Sequence, residues 1–390
     1  MWFCRGGASS LRRVSKITTR IPIASFAKSQ REMTQVTDTL LVTGGAGFIG
    51  SALVRLLIAE RAYRVVNLDL LTYAGHLESL GEARHDPRHV HVQADIADAA
   101  AIRDVFERYS PSGVLHLAAE SHVDRSIDGP GAFVHTNIMG TFTLMQEARR
   151  RNEQCTREGR PFRFLHVSTD EVFGSLHEGD TRFTADTPYD PRSPYSASKA
   201  ASDHLVRAWG HTYGLPVVIT NCSNNYGPYQ YPEKLIPLMI ANAIARKPLP
   251  VYGTGANIRD WLYVDDHARA ILAAFEHGES GATYLVGGDA ERTNLEVVRQ
   301  LCDVLDARLG RTGDDSTHHL VTFVTDRPGH DFRYAIDASV TRDQLGWAPR
   351  ESFASGLEKT VDWYLANQAW CDRVTTGSYT MERLGLGGAA

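Results

Sequence analysis

Two short segments of the chain carry residues that can exchange protons. In the first, Tyr195 and Lys199 form a Tyr-x-x-x-Lys pattern. Residues four apart share a face of a helix, so the Lys199 ammonium can stabilise a Tyr195 phenolate and lower the pKa of the tyrosine. In the second segment, Thr169 is followed by Asp170 and Glu171. Two adjacent carboxyl groups can serve as an acid and a base, which a dehydration needs and a simple oxidation does not.

Each pattern has a simpler interpretation when it is taken alone. A tyrosine and a lysine at this spacing also occur on helix surfaces, and two adjacent acids often form a solvated turn. Two features of the surrounding sequence favour the catalytic interpretation: the acids follow a predicted strand, and both segments come after a glycine-rich turn. The sequence therefore predicts acid–base chemistry next to a bound nucleotide.

The glycine-rich turn follows the first predicted strand and leads into an amphipathic helix. Glycines permit a close approach of the backbone to a pyrophosphate, whose charge interacts favourably with the amino end of the helix. Asp69, at the end of the second predicted strand, can bind the hydroxyls of an adenosine ribose and would repel a 2′-phosphate, which favours NAD over NADP. Asp95 and Ile96 are expected to flank the adenine ring. The turn residues expected to contact the cofactor are Gly44, Gly47, Phe48, Ile49 and Gly50.

The elements that must position these residues can be read from residue 39 to about residue 225, where short β-branched runs alternate with longer helical stretches. This alternation predicts an α/β fold with a Rossmann-type, doubly wound parallel sheet, in which ligands bind at the carboxyl ends of the strands. The predicted strands are 40–42, 64–68, 90–92, 113–117, 162–167 and 216–220, and the predicted helices are 48–60, 99–109, 132–150 and 195–213.

Beyond residue 225 the alternation fails, and prolines and aromatic residues become dense, which predicts a smaller C-terminal lobe that binds the substrate. The expected organisation is a basic extension at 1–32, an NAD-binding domain with the catalytic residues at 33–225, a lobe that mainly binds the sugar nucleotide at 226–365, and a tail at 366–390.

The composition limits the classes of function. The chain has 390 residues, of which 43% are hydrophobic, so it can bury a large core. A formal net charge of -5 gives no reason to expect nucleic acid or an anionic membrane as a partner. The five cysteines are scattered without a Cys-x-x-Cys pair, and no metal site is predicted. No apolar run is long enough to span a bilayer.

We expect a cytoplasmic location. The alternative is an organelle, because the segment before Glu32 is basic, contains many serines and threonines and has no acid, as a transit peptide does. A simpler interpretation is that Met33, just ahead of the first strand, is the natural start.

Several longer segments make the chain similar to the extended short-chain dehydrogenase/reductase family from about residue 39 to residue 364, and within it to the dTDP-glucose 4,6-dehydratases. These segments are 44–51, 116–126, 169–171, 221–228, 259–261 and 326–331. In related epimerases the equivalent of 169–171 lacks the acid pair, and in related decarboxylases and GDP-mannose dehydratases its middle position is usually serine. The acid pair is therefore the discriminating feature.

The resemblance implies bound NAD, a nucleoside-diphosphate hexose as substrate, and a role for each residue of the two segments. Tyr195 would remove the proton of the 4-hydroxyl while hydride leaves carbon 4. Glu171 would then take the proton from carbon 5 while Asp170 protonates the 6-hydroxyl and water leaves. Thr169 would bind the 4-oxygen, and Lys199 would hold the nicotinamide ribose.

The resemblance also implies further contacts with both ligands. For the cofactor these are Ala118, Ser121, Thr136 and Asn225. For the substrate they are Ser121, Thr169, Asn224, Lys234, Leu235, Pro250, Tyr252, Arg259, Asn294, Arg327 and His330. The planar guanidinium of Arg259 suits two diphosphate oxygens, although an ion pair with Asp260 or Asp265 is the alternative for this residue.

A homodimer is a further implication, because the predicted helices 132–150 and 195–213 resemble the pair that forms a four-helix interface in this family. On the first helix, Phe133, Ile138, Phe142 and Met145 have the spacing of an apolar face.

Three alternatives to a dTDP-glucose dehydratase stay open. The first is a UDP-glucose 4,6-dehydratase, because recognition of the base depends on few contacts. The second is a 4-epimerase or decarboxylase acting on a UDP-sugar, against which the acid pair argues. The third is a catalytically silent NAD-binding protein, against which the filled catalytic positions argue.

Overall fold

The computed structural model describes residues 38–326 and 329–375. The predicted basic extension at 1–32 and the predicted substrate contact Arg327 lie outside these residues. Within them, no helix combines the length and the apolar character needed to cross a membrane.

The secondary structure alternates along most of the described chain. The strands are β1 (Thr39–Thr43), β2 (Arg64–Asp69), β3 (His89–Gln93), β4 (Gly113–His116), β5 (Arg163–Thr169), β6 (Val217–Cys222), β7 (Asn224–Tyr226), β8 (Leu249–Tyr252), β9 (Ile258–Tyr263), β10 (Thr283–Val286), β11 (Glu291–Thr293) and β12 (Val321–Val324). The helices are α1 (Phe48–Glu60), α2 (Ala99–Tyr109), α3 (Val123–Asp128), α4 (Pro130–Phe133), α5 (Thr141–Arg157), α6 (Pro194–Tyr213), α7 (Leu235–Ile244), α8 (Val264–His277), α9 (Asn294–Leu309), α10 (Ser339–Leu345), α11 (Phe353–Ala366) and α12 (Gln368–Thr375).

Seven strands form one parallel sheet in the spatial order β3-β2-β1-β4-β5-β6-β10. The direction of winding reverses between β1 and β4, and ligands of doubly wound folds bind at such a reversal. Helices cover both faces, so consecutive residues of one strand enter different cores: Leu40 belongs to one apolar cluster and Leu41 to another. The predicted fold class is confirmed.

The helices predicted at 48–60 and 99–109 are observed with the same bounds. The helix predicted at 195–213 is observed from Pro194, one residue earlier than predicted. The helix predicted at 132–150 is interrupted. A π-helical segment, Val134–Gly140, separates α4 from α5. Such segments are often found at functional sites, and Thr136 within this one faces the cavity described below.

The smaller lobe contains the three-stranded sheet β11-β9-β7 and the pair β12-β8. Its apolar cluster joins side chains of α7, α9 and α11, such as Ile240, Leu301 and Leu357. The chain also returns to the first lobe after residue 226, because β10 pairs with β6, and α8 contributes Ile271 to the first core. The domain boundary between residues 225 and 226 stays a prediction. Although β10 and α8 come after this boundary in the sequence, they pack with the large sheet.

The prediction of a tail at 366–390 is wrong for residues 368–375. Residues 368–375 form α12, in which Trp370 and Val374 are buried. Trp370 packs edge-on against the ring of Trp363 in α11, with centroids 5.3 Å apart. The sequence pattern did not reveal this helix because it is short and contributes only two buried side chains.

We predict that Ser193→Ala lowers the free energy of unfolding by about 1 kcal/mol, because Ser193 caps the helix that carries Tyr195 and Lys199. The Ser193 hydroxyl accepts the N–H of Ser196 at 3.0 Å, and the Ser196 hydroxyl accepts the N–H of Ser193 at 3.0 Å. Urea unfolding followed by circular dichroism measures the loss. Ser280→Ala, in an exposed turn, is the control and should leave the midpoint unchanged; equal midpoints for the two variants would contradict the prediction.

Candidate active site

A cavity of about 430 Å³ opens at the carboxyl ends of the central strands. All the predicted catalytic residues and all the predicted cofactor contacts line it. They come from eight separate stretches of the sequence, so it is the sheet topology that gathers them. They are Gly44, Gly47, Phe48, Ile49, Gly50, Asp69, Asp95, Ile96, Ala118, Ser121, Thr136, Thr169, Asp170, Glu171, Tyr195, Lys199 and Asn225.

The glycine turn lines the cavity, and its backbone leaves no room for a Cβ at Gly44 or Gly50. Gly44 has φ of 71°, and a Cβ there would lie 2.6 Å from the backbone nitrogen of Ala118. A Cβ at Gly50 would overlap the carbonyl oxygen of Gly44. Gly47 caps α1 without any side-chain hydrogen bond to the first turn. The amide groups at the start of α1 are thus available to an anion, as a pyrophosphate requires.

Asp69 has the position expected of a ribose ligand. Its Oδ2 accepts the N–H of Ala46 at 2.9 Å, and its Oδ1 accepts the N–H of Leu71 at 2.9 Å. These bonds fix the carboxylate between the glycine turn and the loop after β2, and each oxygen retains a further lone pair. Nearby, Asp95 Oδ2 lies 3.2 Å from His135 Nε2. The residues present therefore fit an NAD molecule.

Thr169, Asp170 and Glu171 lie at the end of β5, in a short 3₁₀ helix that spans Asp170–Phe173. The Thr169 hydroxyl accepts the N–H of Glu171 at 3.2 Å and also hydrogen-bonds with the Tyr195 side chain. Asp170 is only 1% exposed, and its Oδ2 has no hydrogen-bond partner. Burial, and then the charges of Glu171 and Asp260, raise the pKa of Asp170 well above its ordinary value. Asp170 therefore keeps its proton to a higher pH than an exposed aspartate does, as a general acid requires.

The expectation that Lys199 lowers the pKa of Tyr195 is wrong for this structure. Burial raises the pKa of Tyr195 well above its ordinary value, and the charge of Glu171 raises it further. The Lys199 ammonium donates to the carbonyl of Val167 at 2.9 Å. Desolvation of the phenolate is therefore the largest influence on the pKa of Tyr195.

The predicted substrate contacts fall into two groups. Ser121, Thr169, Asn224 and Lys234 line the cavity, and Lys234 Nζ donates to the carbonyl of Ser121 at 3.1 Å. The others among the described residues lie outside its lining: Leu235, Pro250, Tyr252, Arg259 and Asn294 on elements of the smaller lobe, and His330 in the connection between β12 and α10.

Arg259 is buried on β9 and contacts backbone rather than a cavity wall. Its guanidinium donates to the carbonyls of Ile258 at 2.7 Å and Asp331 at 2.9 Å. It also stacks over the ring of Tyr334, 4.2 Å from the centroid. The charge of Arg259 acts on Asp170, so the residue lies close to the acid pair.

Sequence reasoning missed several lining residues from the segment that joins the lobes. Gln230 donates to the carbonyl of Asn225 at 2.9 Å, which fixes the backbone of a predicted cofactor contact. The Tyr231 ring stacks on His76 with centroids 6.0 Å apart, and its hydroxyl donates to the carbonyl of Val374. Glu233 accepts from Arg125 Nε at 3.0 Å. The density of aromatic residues and prolines near Tyr231 was the available signal.

Comparisons with known proteins agree with this geometry. The model of the GDP-mannose 4,6 dehydratase family matches residues 41–360. The dTDP-glucose 4,6-dehydratase of Neisseria meningitidis serogroup B is 57% identical over 351 residues, which cover 89% of this chain and 99% of that protein. The dTDP-glucose 4,6-dehydratase of Escherichia coli is 54% identical over 358 residues, with coverage of 89% and 99%.

Solved structures give the same result. DesIV, a dTDP-glucose 4,6-dehydratase from Streptomyces venezuelae solved with NAD bound, has a TM-score of 0.78 and 44% identity, covering 86% of this chain and 99% of its own. A UDP-glucose 4-epimerase from Thermus thermophilus, also solved with NAD, has a TM-score of 0.73 but 28% identity, covering 84% of this chain and 99% of its own.

The parallel sheet, the glycine turn and the helix with Tyr195 and Lys199 define an extended short-chain dehydrogenase/reductase. The fold alone does not separate dehydratases from epimerases, since their TM-scores are similar. The sequence identities do, and the chain belongs to the family of NAD-dependent dTDP-glucose 4,6-dehydratases.

We predict that Asp170→Asn stabilises the fold at neutral pH. The pKa of Asp170 is raised in the folded protein, so its ionisation costs stability as pH rises above the pKa of the unfolded state. Asparagine avoids this cost. The variant should gain about 1 kcal/mol at about pH 7 and nothing at about pH 3, where the acid is protonated in both states.

Thermal unfolding of both proteins across this pH range measures the gain. Asp186→Asn, at an exposed position, is the control and should show no such pH-dependent difference. A loss of stability in Asp170→Asn that is equal at both pH values would refute the assignment of a raised pKa.

Proposed function

We propose that this protein converts dTDP-glucose to dTDP-4-keto-6-deoxyglucose and water by oxidation at carbon 4, elimination across carbons 5 and 6, and reduction at carbon 6. The observation that carries the proposal is the acid pair at the end of β5. Asp170 is buried with a raised pKa, Glu171 follows it, and both line the same cavity as Tyr195. An oxidoreductase without elimination has no use for such a pair.

Tyr195 is the base for the first step in this proposal. It takes the proton of the sugar 4-hydroxyl, and its hydrogen bond with Thr169 orients the phenol oxygen. A bound NAD, held by the glycine turn and Asp69, would supply the acceptor and donor of the hydride and the positive charge of its nicotinamide ring. Together with the Lys199 ammonium, positive charge favours the phenolate against the effect of burial.

The two carboxyl groups have different tasks in the elimination. The ketone at carbon 4 acidifies carbon 5, and Glu171 removes that proton and returns a proton to carbon 5 when carbon 6 is reduced. Asp170 donates its own proton to the 6-hydroxyl, which then leaves as water. This division agrees with the environment of Asp170, because an acid with a raised pKa keeps a proton to give.

The nucleotide end of the substrate is assigned to the smaller lobe. Asn224 and Lys234 extend the cavity toward it, and the Arg259 cation next to the acid pair is suited to the diphosphate. Leu235, Pro250, Tyr252, Asn294, Arg327 and His330 complete the proposed contacts. The curated relatives at 54% to 57% identity are dTDP-glucose dehydratases, which favours thymidine over uridine as the base.

Purified protein supplied with dTDP-glucose should form a 4-keto-6-deoxy sugar without net change in NADH, and UDP-glucose should react more slowly. Substrate deuterated at carbon 4 should yield product that carries the label at carbon 6, because the hydride is returned within one active site. Mass spectrometry and NMR detect both results. A C4-epimerised hexose as the product, or loss of the label to solvent, would favour an epimerase-like activity.

Two isosteric variants distinguish the proposed roles of Asp170 and Glu171. Asp170→Asn should retain single-turnover reduction of NAD but slow the release of water by roughly 10²-fold or more, because an amide is a poor acid. Glu171→Gln should lose the exchange of the carbon 5 proton with deuterated solvent. The matched control is Asp186→Asn, which should behave as the unchanged protein. Full turnover in both active-site variants would contradict the proposed roles.

A homodimer formed through α5 and α6 is the second part of the proposal. Two of the residues first expected on the free face, Phe133 and Met145, are instead buried within the chain at 2% and 0% exposure, so that part of the expectation is wrong. The exposed large apolar residues of these elements are Val134 and Met139, in the π-helical segment before α5, and Tyr213, at the end of α6. Large apolar side chains exposed together indicate an interface.

Met139→Glu should shift the protein from dimer to monomer, because a buried charge without a partner opposes association. Light scattering at micromolar concentration measures the molar mass. Phe323→Glu is the matched control, since Phe323 is also an exposed apolar residue but lies on β12 in the smaller lobe. A monomeric unchanged protein, or a dimer in Met139→Glu, would refute this interface.

A further inference from the structure

Three buried ionisable side chains follow one another at four-residue intervals along α6. Tyr195, Lys199 and Asp203 therefore share a face of the helix, in the order phenol, ammonium and carboxylate. Tyr195 and Lys199 line the cavity, whereas Asp203 is not part of its lining. The proposed chemistry uses the first two and gives no role to the third.

Three neutral groups donate hydrogen bonds to Asp203, and the Arg207 guanidinium donates to one of them, the Tyr189 hydroxyl, at 2.8 Å. Asp203 Oδ2 accepts from the hydroxyls of Ser168 at 2.9 Å and Tyr189 at 2.8 Å, and from the amide of Asn221 at 3.4 Å. Its Oδ1 lies 3.1 Å from His166 Nε2. A carboxylate that accepts several hydrogen bonds is held in its charged form.

His166 lies between the carboxylate and the ammonium. Its Nε2 is 3.1 Å from Asp203 Oδ1 and 3.5 Å from Lys199 Nζ. Its Nδ1 is buried without a hydrogen-bond partner. Asp203 Oδ1 also has no hydrogen-bond partner, so a hydrogen on Nε2, which lies 3.1 Å from Oδ1, would serve both groups better than a hydrogen on Nδ1. Burial lowers the pKa of His166 to about 4, so the ring is neutral and fixes the carboxylate without adding charge.

We infer that Asp203 is the buried counter-ion of Lys199 and that His166 fixes it in place, so that Lys199 remains charged next to Tyr195. An ammonium removed from water is disfavoured unless an opposite charge lies close to it. Asp203 and His166 are positioning residues, since they act through Lys199. The inference rests on the proposed function, in which the lysine charge supports Tyr195 as the base.

The other titratable groups around Lys199 do not supply a negative charge. The groups that face it are Tyr195 and Asp203 on α6, His166 on β5, His116 on β4 and Cys222 on β6. Burial raises the pKa of Tyr195 and of Cys222, and it lowers the pKa of His116, so these three are neutral near pH 7. Burial would also raise the pKa of Asp203, but His166 and Lys199 lower it overall.

Lysine ¹³Cε NMR tests the inference without substrate or turnover. The chain has few lysines, and Lys199→Arg identifies the signal of Lys199. Asp203→Asn should lower the pKa of Lys199 by about one unit or more. Because the charged lysine exists only below its pKa, the alkaline limb of kcat should move to lower pH by the same shift.

Tyr189→Phe is the matched control. It removes one hydrogen bond to the same carboxylate but leaves the negative charge, so it should leave both the lysine pKa and the alkaline limb unchanged. A purely structural role for Asp203 would change stability or kcat at every pH without moving the lysine pKa. An equal Lys199 pKa in the unchanged protein and in Asp203→Asn would overturn the inference.

A second measurement applies if Asp203→Asn does not fold. Lys199→Met combined with Asp203→Asn removes both charges, so the double variant should fold and be more stable than either single variant. A double variant as unstable as Asp203→Asn would overturn the inference. An unchanged protein that turns over no nucleotide sugar would contradict the proposed function instead, and the NMR result would still decide on the counter-ion.

Discussion

The cost of keeping ionisable groups out of water is the constraint on which this active site depends. Burial is the largest influence on the pKa of Asp170, Tyr195 and Lys199, and in each case it favours the neutral form. For Asp170 the effect is useful, because an acid must hold a proton. For Lys199 it is harmful, because the ammonium must stay charged. In the same low-polarity setting, Lys199 therefore needs a nearby carboxylate to stay charged, whereas Asp170 needs no compensating charge.

Much of this site could be predicted from the sequence, because its parts follow local rules. The strand ends that hold Asp69 and Thr169 come from β-branched runs, and the glycine turn comes from a requirement that no other residue meets. In a parallel sheet all the carboxyl ends meet at one edge, so local positions along the chain become neighbours in space. The pairing of Tyr195 with Lys199 on α6 needed only the period of a helix.

What the sequence did not reveal depends on contacts between distant segments. β10 pairs with β6, although about sixty residues separate the two strands in the sequence. β10 has only four residues and therefore no strong sequence pattern of its own. The pKa of Tyr195 could not be predicted from its spacing to Lys199, because it depends on how deeply the fold buries the phenol. The residues Gln230 and Tyr231 line the cavity because the connection between the lobes folds back over it, which no local period encodes.

The late position of β10 in the chain affects how the protein is made. While the ribosome has released the chain only as far as α8, β6 is the edge of the sheet, and its outer backbone groups have no strand to pair with. Cys222, at the end of β6, is part of the cavity wall. A sheet formed before residues 283–286 are synthesised would therefore have an unpaired edge beside the cofactor cavity, where another chain could pair with it.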